Sequence, residues 1–190
     1  GRKTPPGVLV TTAEITTGSV TVTKDSTTIT FTSAPAASVK GFKFFIDDDP
    51  AIYRIDTHTA ASLTATLDTA YIITGGAGKA YHLFQDEYTL ATDFLRPVNK
   101  KFFKSSDSTH IIELRSQAEL DGFRRLLWNG SEYPQYTAFI ADDLVRLWPW
   151  PTTKQRWEYH YLYHPGVLNF TGSGAGDTLI IQPAEDRIIV

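Results

Sequence analysis

The chain contains no cysteine and no methionine. Without thiols there can be no disulfide framework, no thiolate metal site and no cysteine nucleophile. The missing methionine accompanies a start, Gly1-Arg2-Lys3, that has the form of neither a signal peptide nor a transit peptide. The expectation is a chain that begins inside a longer product. No apolar run approaches the roughly 20 residues of a membrane span. Cations are not in excess either: 18 Lys and Arg face 21 Asp and Glu, a net charge of −3, which argues against a general nucleic-acid binder. What is present is a 190-residue chain rich in threonine and aromatics, long enough for one domain, or a domain with an insertion, around a real hydrophobic core.

Residues 1–13 have no clear period and contain the breaker Pro5-Pro6-Gly7, so they read as irregular, and 1–16 as an extended arm. From Thr17 the pattern becomes short alternating runs. Val20 and Val22 alternate with threonines, Lys24-Asp25-Ser26 supplies turn chemistry, and Ile29 and Phe31 alternate with threonines again, the signature of a β-hairpin. Further runs at 41–46, 51–56, 62–67 and 80–84 are separated by Asp47-Asp48-Asp49-Pro50, by 58–61 and by Gly75-Gly76-Ala77-Gly78. Strands at such spacing predict a small antiparallel sandwich or barrel over 17–87. The stretch 88–97 leaves the strand pattern, and strands resume at 100–104 and 109–113. Ser116-Gln117-Ala118-Glu119 is a capping box, and Leu120, Phe123, Leu126 and Leu127 then recur at helical spacing up to Asn129-Gly130, predicting a helix over 117–128. Two strands, 136–140 and 144–148, flank Ala141-Asp142-Asp143. Trp148-Pro149-Trp150-Pro151 is a rigid extended turn. In the strand over 156–163, Trp157, Tyr159, Tyr161 and Tyr163 make one face wholly aromatic. Pro183 leads a last helix, at whose start Glu185 and Asp186 suit the helix dipole. The fold class is mainly β (α+β): a sandwich- or barrel-like unit at 17–87, then a segment at 88–190 with one or two helices. Helical parts are expected to be missing at both ends.

No catalytic, metal-ligating or cofactor-binding set is legible. Gly75-Gly76-Ala77-Gly78 lacks the Lys-Ser/Thr of a phosphate loop and reads as a hairpin tip; 172–177 reads as a flexible loop. Asp47, Asp48 and Asp49 lack the spaced ligands of a calcium loop. His160 and His164, four apart on a strand, lie some 13 Å from each other at about 3.3 Å per residue. No Gly-x-Ser-x-Gly elbow occurs, and nothing in the spacing of Glu113, Glu158 and Asp177 favours a glycosidase pair. The aromatics Trp148, Trp150, Trp157, Tyr159, Tyr161 and Tyr163 stand out. They admit three readings: a sugar- or base-stacking platform, a core face, or anchors of an interface.

Several motifs stand in a recognisable order. They are Tyr88-Thr89-Leu90-Ala91-Thr92-Asp93-Phe94, Pro134-Gln135-Tyr136, Leu147-Trp148-Pro149-Trp150-Pro151, Tyr161-Leu162-Tyr163-His164-Pro165-Gly166-Val167-Leu168 and Ile181-Gln182-Pro183-Ala184-Glu185. Together with the Thr/Gly-rich β insertion before them, this order resembles that of phage head-to-tail adaptor (connector) proteins, the ring subunits below the portal. Ala91 stands where that pattern has proline, and the family's N-terminal helical part is absent. The resemblance implies a structural virion protein of the neck, assembled in the host cytoplasm, and not an enzyme; it implies no cofactor, metal or membrane. Its partners would be further copies in a ring of twelve, the portal protein, a tail, nozzle or stopper protein, and DNA passing unread through the lumen. The interaction candidates are Trp148, Trp150, Trp157, Tyr159, Tyr161, Tyr163, Phe94 and Arg96. A tail-tube, nozzle or baseplate component, or a carbohydrate-binding β-domain using the aromatics between Trp148 and Tyr163, is the alternative.

Overall fold

The computed structural model describes residues 6–49, 51–105, 109–126 and 129–163. The loop at 172–177, the Pro183 helix, Asp177, His164 and the motif residues after it lie outside the described residues, as do Pro50 and Leu127. The molecule is mainly β, with one helix among the described residues. After β1 (Gly7–Val10) come β2 (Val20–Val22), β3 (Thr28–Phe31), β4 (Lys43–Ile46), β5 (Tyr53–His58), β6 (Thr64–Leu67), β7 (Gly76–Lys79) and β8 (Tyr81–Phe84). There follow β9 (Glu87–Thr89), β10 (Phe94–Pro97), β11 (Lys101–Ser105), β12 (Ile111–Leu114), α1 (Gln117–Leu126) and β13 (Gly130–Ser131). The last are β14 (Tyr136–Phe139), β15 (Leu144–Trp148), β16 (Trp150–Pro151), β17 (Arg156–Tyr159) and β18 (Tyr161–Tyr163).

Strands β2 to β8 form one antiparallel sheet in the order β7-β2-β3-β6-β5-β4-β8. Its outermost strands, β7 and β8, are joined by Ala80 alone, so the two edges belong to one continuous stretch and the sheet curls into a barrel. Period-2 alternation fills it: Val20, Val22, Ile29, Phe31, Phe44 and Ile46 are buried, while the threonines between Val20, Val22, Ile29 and Phe31 lie on the outer surface. Each fully buried aliphatic side chain stabilises the fold by about 1.5–3 kcal/mol. The glycine run is not a hairpin tip. Gly75 passes so close to the backbone of Val22 and Thr23 that a side chain has no room there, and Gly76–Lys79 is the strand that pairs with β2.

The second sheet runs β1-β17-β11-β12-β14-β15-β9. The stretch 88–97, expected to leave the strand pattern, in fact supplies β9 on this sheet and β10, which pairs with β18 in a separate ribbon. Its period is hidden because each strand is only three or four residues long. Strands β12 and β14 are parallel, a pairing that needs a crossover, and α1 is that crossover. The capping box forms as expected: Ser116 Oγ accepts from Glu119 N–H at 3.3 Å, and a Glu119 carboxylate oxygen accepts from Ser116 N–H at 2.9 Å. Ser116→Ala should therefore lower the unfolding free energy by about 1 kcal/mol, seen as a lower denaturant midpoint at unchanged slope. A register shift in β11 lets consecutive Phe102 and Phe103 both turn inward, leaving Lys101 and Lys104 exposed.

Within the segment read as an arm, Gly7–Val10 is a strand, and the described part folds onto its own chain. Strand β1 pairs with β17, the Tyr159 ring occupies the space a side chain at Gly7 would need, and Ile15 and Leu83 exchange backbone hydrogen bonds of 2.9 and 3.1 Å. The barrel is thus an insertion between β1 and β9 of the second sheet.

Candidate functional site

Alternation along β15 sends Val145 and Leu147 to one face of the second sheet and Arg146 and Trp148 to the other. The first face is closed by the ribbon of β10 and β18. Phe94 stacks between Phe139 and Tyr161, at 5.4 and 5.5 Å between ring centroids, and Trp157, Tyr159 and Phe103 lie beneath. Tyr159 Oη accepts from Ala91 N–H at 2.9 Å, and Tyr161 Oη donates to Asp93 at 2.8 Å. Burial, then the Asp93 carboxylate, pushes the Tyr161 phenol up to about 12, so it remains a donor.

The second face meets α1 and the barrel. Phe84 stacks on Trp150 at 4.3 Å, Phe45 contacts both rings edge-on, and Trp148, Leu120 and Ala138 complete the cluster. Glu14 accepts from Trp150 Nε1–H at 3.0 Å and lies 2.7 Å from His82 Nδ1, whose Nε2 is 2.9 Å from Asp47.

These contacts correct the interaction candidates. Trp148, Trp150, Trp157, Tyr159, Tyr161 and Phe94 are each at most 6% exposed. They are core and junction side chains, not a stacking platform or an exposed patch, because the sheet has cover on both faces. Arg96 is exposed; the Tyr163 side chain lies outside the described residues. His160 is exposed. Glu113 and Glu158 sit on strands separated by β11, and each is paired with its own arginine, Arg115 and Arg156. Asp49 caps its turn, accepting from Ala51 N–H at 2.8 Å and from Tyr53 Oη at 3.4 Å. No group of three or more potential metal ligands occurs among the described residues. A groove of about 550 Å³ on the barrel is lined by threonines, Lys40 and His58. Val39 N–H donates to His58 Nδ1, so Nε2 carries the proton toward Ser62 O, 3.1 Å away. Both nitrogens are spent on loop structure.

A cluster of six charges lies at the same junction, with only Arg146, amid the apolar residues of β15, to hint at it in the sequence. Lys43 Nζ from the barrel lies 2.7 Å from Asp86 and 3.1 Å from Glu87. Arg146 grips one Glu87 oxygen through Nε and Nη2, at 3.2 and 2.6 Å. Arg124 and Asp121 of α1 close it: Arg124 is 3.9 Å from Asp86, and Asp121 is 3.8 Å from Arg146. Asp86 is only 3% exposed. Burial by itself would raise the Glu87 carboxyl, but hydrogen bonds and charge from Arg146 and Lys43 outweigh it and bring it from 4.5 down to about 2. Between these values the unfolded chain binds a proton that the folded one does not. Stability should therefore fall as pH drops from about 4.5 toward 2, and Glu87→Gln should flatten that part of the profile in acid-denaturation curves.

No described helix is long and apolar enough to cross a membrane. Compared with known proteins, the chain matches no family model, no curated protein and no solved structure.

Proposed function

We propose that the chain is a structural ring subunit of a virus particle, a head-to-tail adaptor of the connector kind, located in the neck of the virion. The observation that carries this reading is topological. A barrel-like unit is inserted between the first two strands of a sheet whose outermost strand, β1, pairs among the described residues with β17 alone and exposes Val8 and Val10, each 46% accessible. An edge strand with outward valines and no charge or proline within it is a template for a strand from another chain. Such head-to-tail contacts generate rings when the rotation closes. The aromatic side chains are consumed in holding barrel, sheet and helix as one body, which suits a building block and removes the basis of the carbohydrate platform. The portal above and a tail, nozzle or stopper protein below are the partners in this reading, with DNA passing through the lumen.

Mass photometry and negative-stain images of the protein, alone and mixed with a portal ring, test it. Closed rings, or decoration of the portal, are expected. A strictly monomeric protein that never docks on a portal would sink the proposal.

A further inference from the structure

One stretch runs against the acidic balance of the chain. Between Arg96 and Lys104 there are four cations, Arg96, Lys100, Lys101 and Lys104, and no acid. All four side chains are exposed, and none makes an ion pair among the described residues. The remaining 14 cations face all 21 acids, so a local strip of +4 sits on a strongly acidic remainder. The fold gives the strip no direct ion pair among the described residues, although hydrogen bonds from Ser116 and, behind them, the charge of Lys100 help to lower the Glu119 carboxyl. Across the ladder, Lys101 lies opposite Glu113 and Lys104 opposite Glu158, yet these carboxylates are engaged by Arg115 and Arg156. The register shift in β11 turns Phe102 and Phe103 inward while keeping both lysines outward, about 10 Å apart at 3.3 Å per residue.

We propose that Arg96, Lys100, Lys101 and Lys104 form a sequence-independent contact for the phosphate backbone of a double-stranded nucleic acid. A row of exposed cations fits an extended polyanion better than a small anion, since the hollow of about 520 Å³ beside Lys100 and Lys101 is also lined by the carboxylates Glu113 and Glu119. The hollow beside Lys101 and Lys104 is only about 170 Å³ and also admits the Glu158 side chain. Single strands are held by stacking bases on aromatics, and the aromatics here, Phe94, Phe102 and Phe103, are all buried. Leu95 and Val98 are exposed beside Arg96, but from Asn99 to Lys104 every exposed side chain is a cation or an amide. The proposal goes beyond ring assembly and is separable from it: a ring former without DNA affinity refutes this contact alone, and a DNA-binding monomer refutes the ring alone.

Anisotropy titrations of a short mixed-sequence duplex across a salt series test it. Four phosphate contacts predict a log–log slope of about −3.6, an affinity loss on the order of a hundredfold between roughly 50 and 200 mM salt. The double variant Lys101→Ala/Lys104→Ala should reduce the slope by about 2, whereas Lys24→Ala, in a distant barrel turn, should leave it unchanged. Thermal melts of the same variants confirm that exposed lysines were removed from a folded protein. Absence of duplex binding at low salt overturns the proposal, as does a slope indifferent to the lysines. Preference for single-stranded DNA overturns it too. So does low-salt self-association, or binding to anionic vesicles, that depends on these lysines without any duplex binding.

Discussion

Trp150→Ala is expected to lower the unfolding free energy by about 4 kcal/mol and to divide one unfolding transition into two. The indole is 2% exposed and stacked on Phe84, which begins the link from barrel to second sheet, and Phe45 of the barrel abuts it edge-on. Removing it empties the place where barrel, sheet and α1 meet, and takes the Nε1–H donor from Glu14. Each unit retains its own buried cluster, so the lost contact falls on their coupling. Calorimetry should show a calorimetric enthalpy exceeding the van't Hoff value in the variant but not in the parent protein. Trp150→Phe keeps a ring in the stack and loses the donor, and should cost about 1 kcal/mol. If Trp150→Ala instead left the melt unchanged and altered only assembly, the residue would be a surface anchor and not a junction side chain.

The strands of the barrel were legible because period 2 needs no partner to be seen. Val20, Val22, Ile29 and Phe31 alternate with threonine whether or not the sheet is known. The α1 start was legible for the same reason, since Ser116 and Glu119 satisfy each other locally. The curl of the sheet was not legible, because it depends on β7 and β8 lying at opposite ends of a sheet order that sequence does not state. Gly75 misled for a definite reason: glycine marks both a turn and a close backbone approach, and only the position of Val22 decides which. Strands β9 and β10 are too short for their alternation to register.

The aromatic stripe was visible as a stripe, but not which of its three readings applied. Covering Trp157 and Tyr159 takes Phe94 and Phe103 from other strands, and covering Trp150 takes Phe84, 66 residues earlier in the chain. The charge cluster left only a faint trace, an arginine in the middle of apolar β15, and its partner Glu87 is 59 residues away. Net charge hid the basic strip, since an average over 190 residues says nothing of nine.

Arg146→Met should cost about 3 kcal/mol, the lower end of the range for removing one partner of a buried ion pair. Methionine keeps an unbranched apolar stem on β15, so packing changes little. Electrostatics change more: Glu87 loses its closest cation, and Asp86, one of the most buried charges among the described residues, is left with Arg124 at 3.9 Å and with Lys43 at 2.7 Å, which Glu87 shares at 3.1 Å. The lower end applies because Lys43 remains. Adding Glu87→Gln to Arg146→Met should recover part of the loss, since the second change removes the charge the first left underpaired, and a double-mutant cycle would show strong coupling. The acid profile separates this account from simple loss of packing. Without Arg146, the folded-state carboxyl of Glu87 moves back toward 4.5, so less stability is left to lose as pH falls from 4.5 toward 2. A variant that is weaker at neutral pH yet retains the full acid slope would show that Arg146 acts through its stem, and that the low Glu87 value is owed to Lys43 instead.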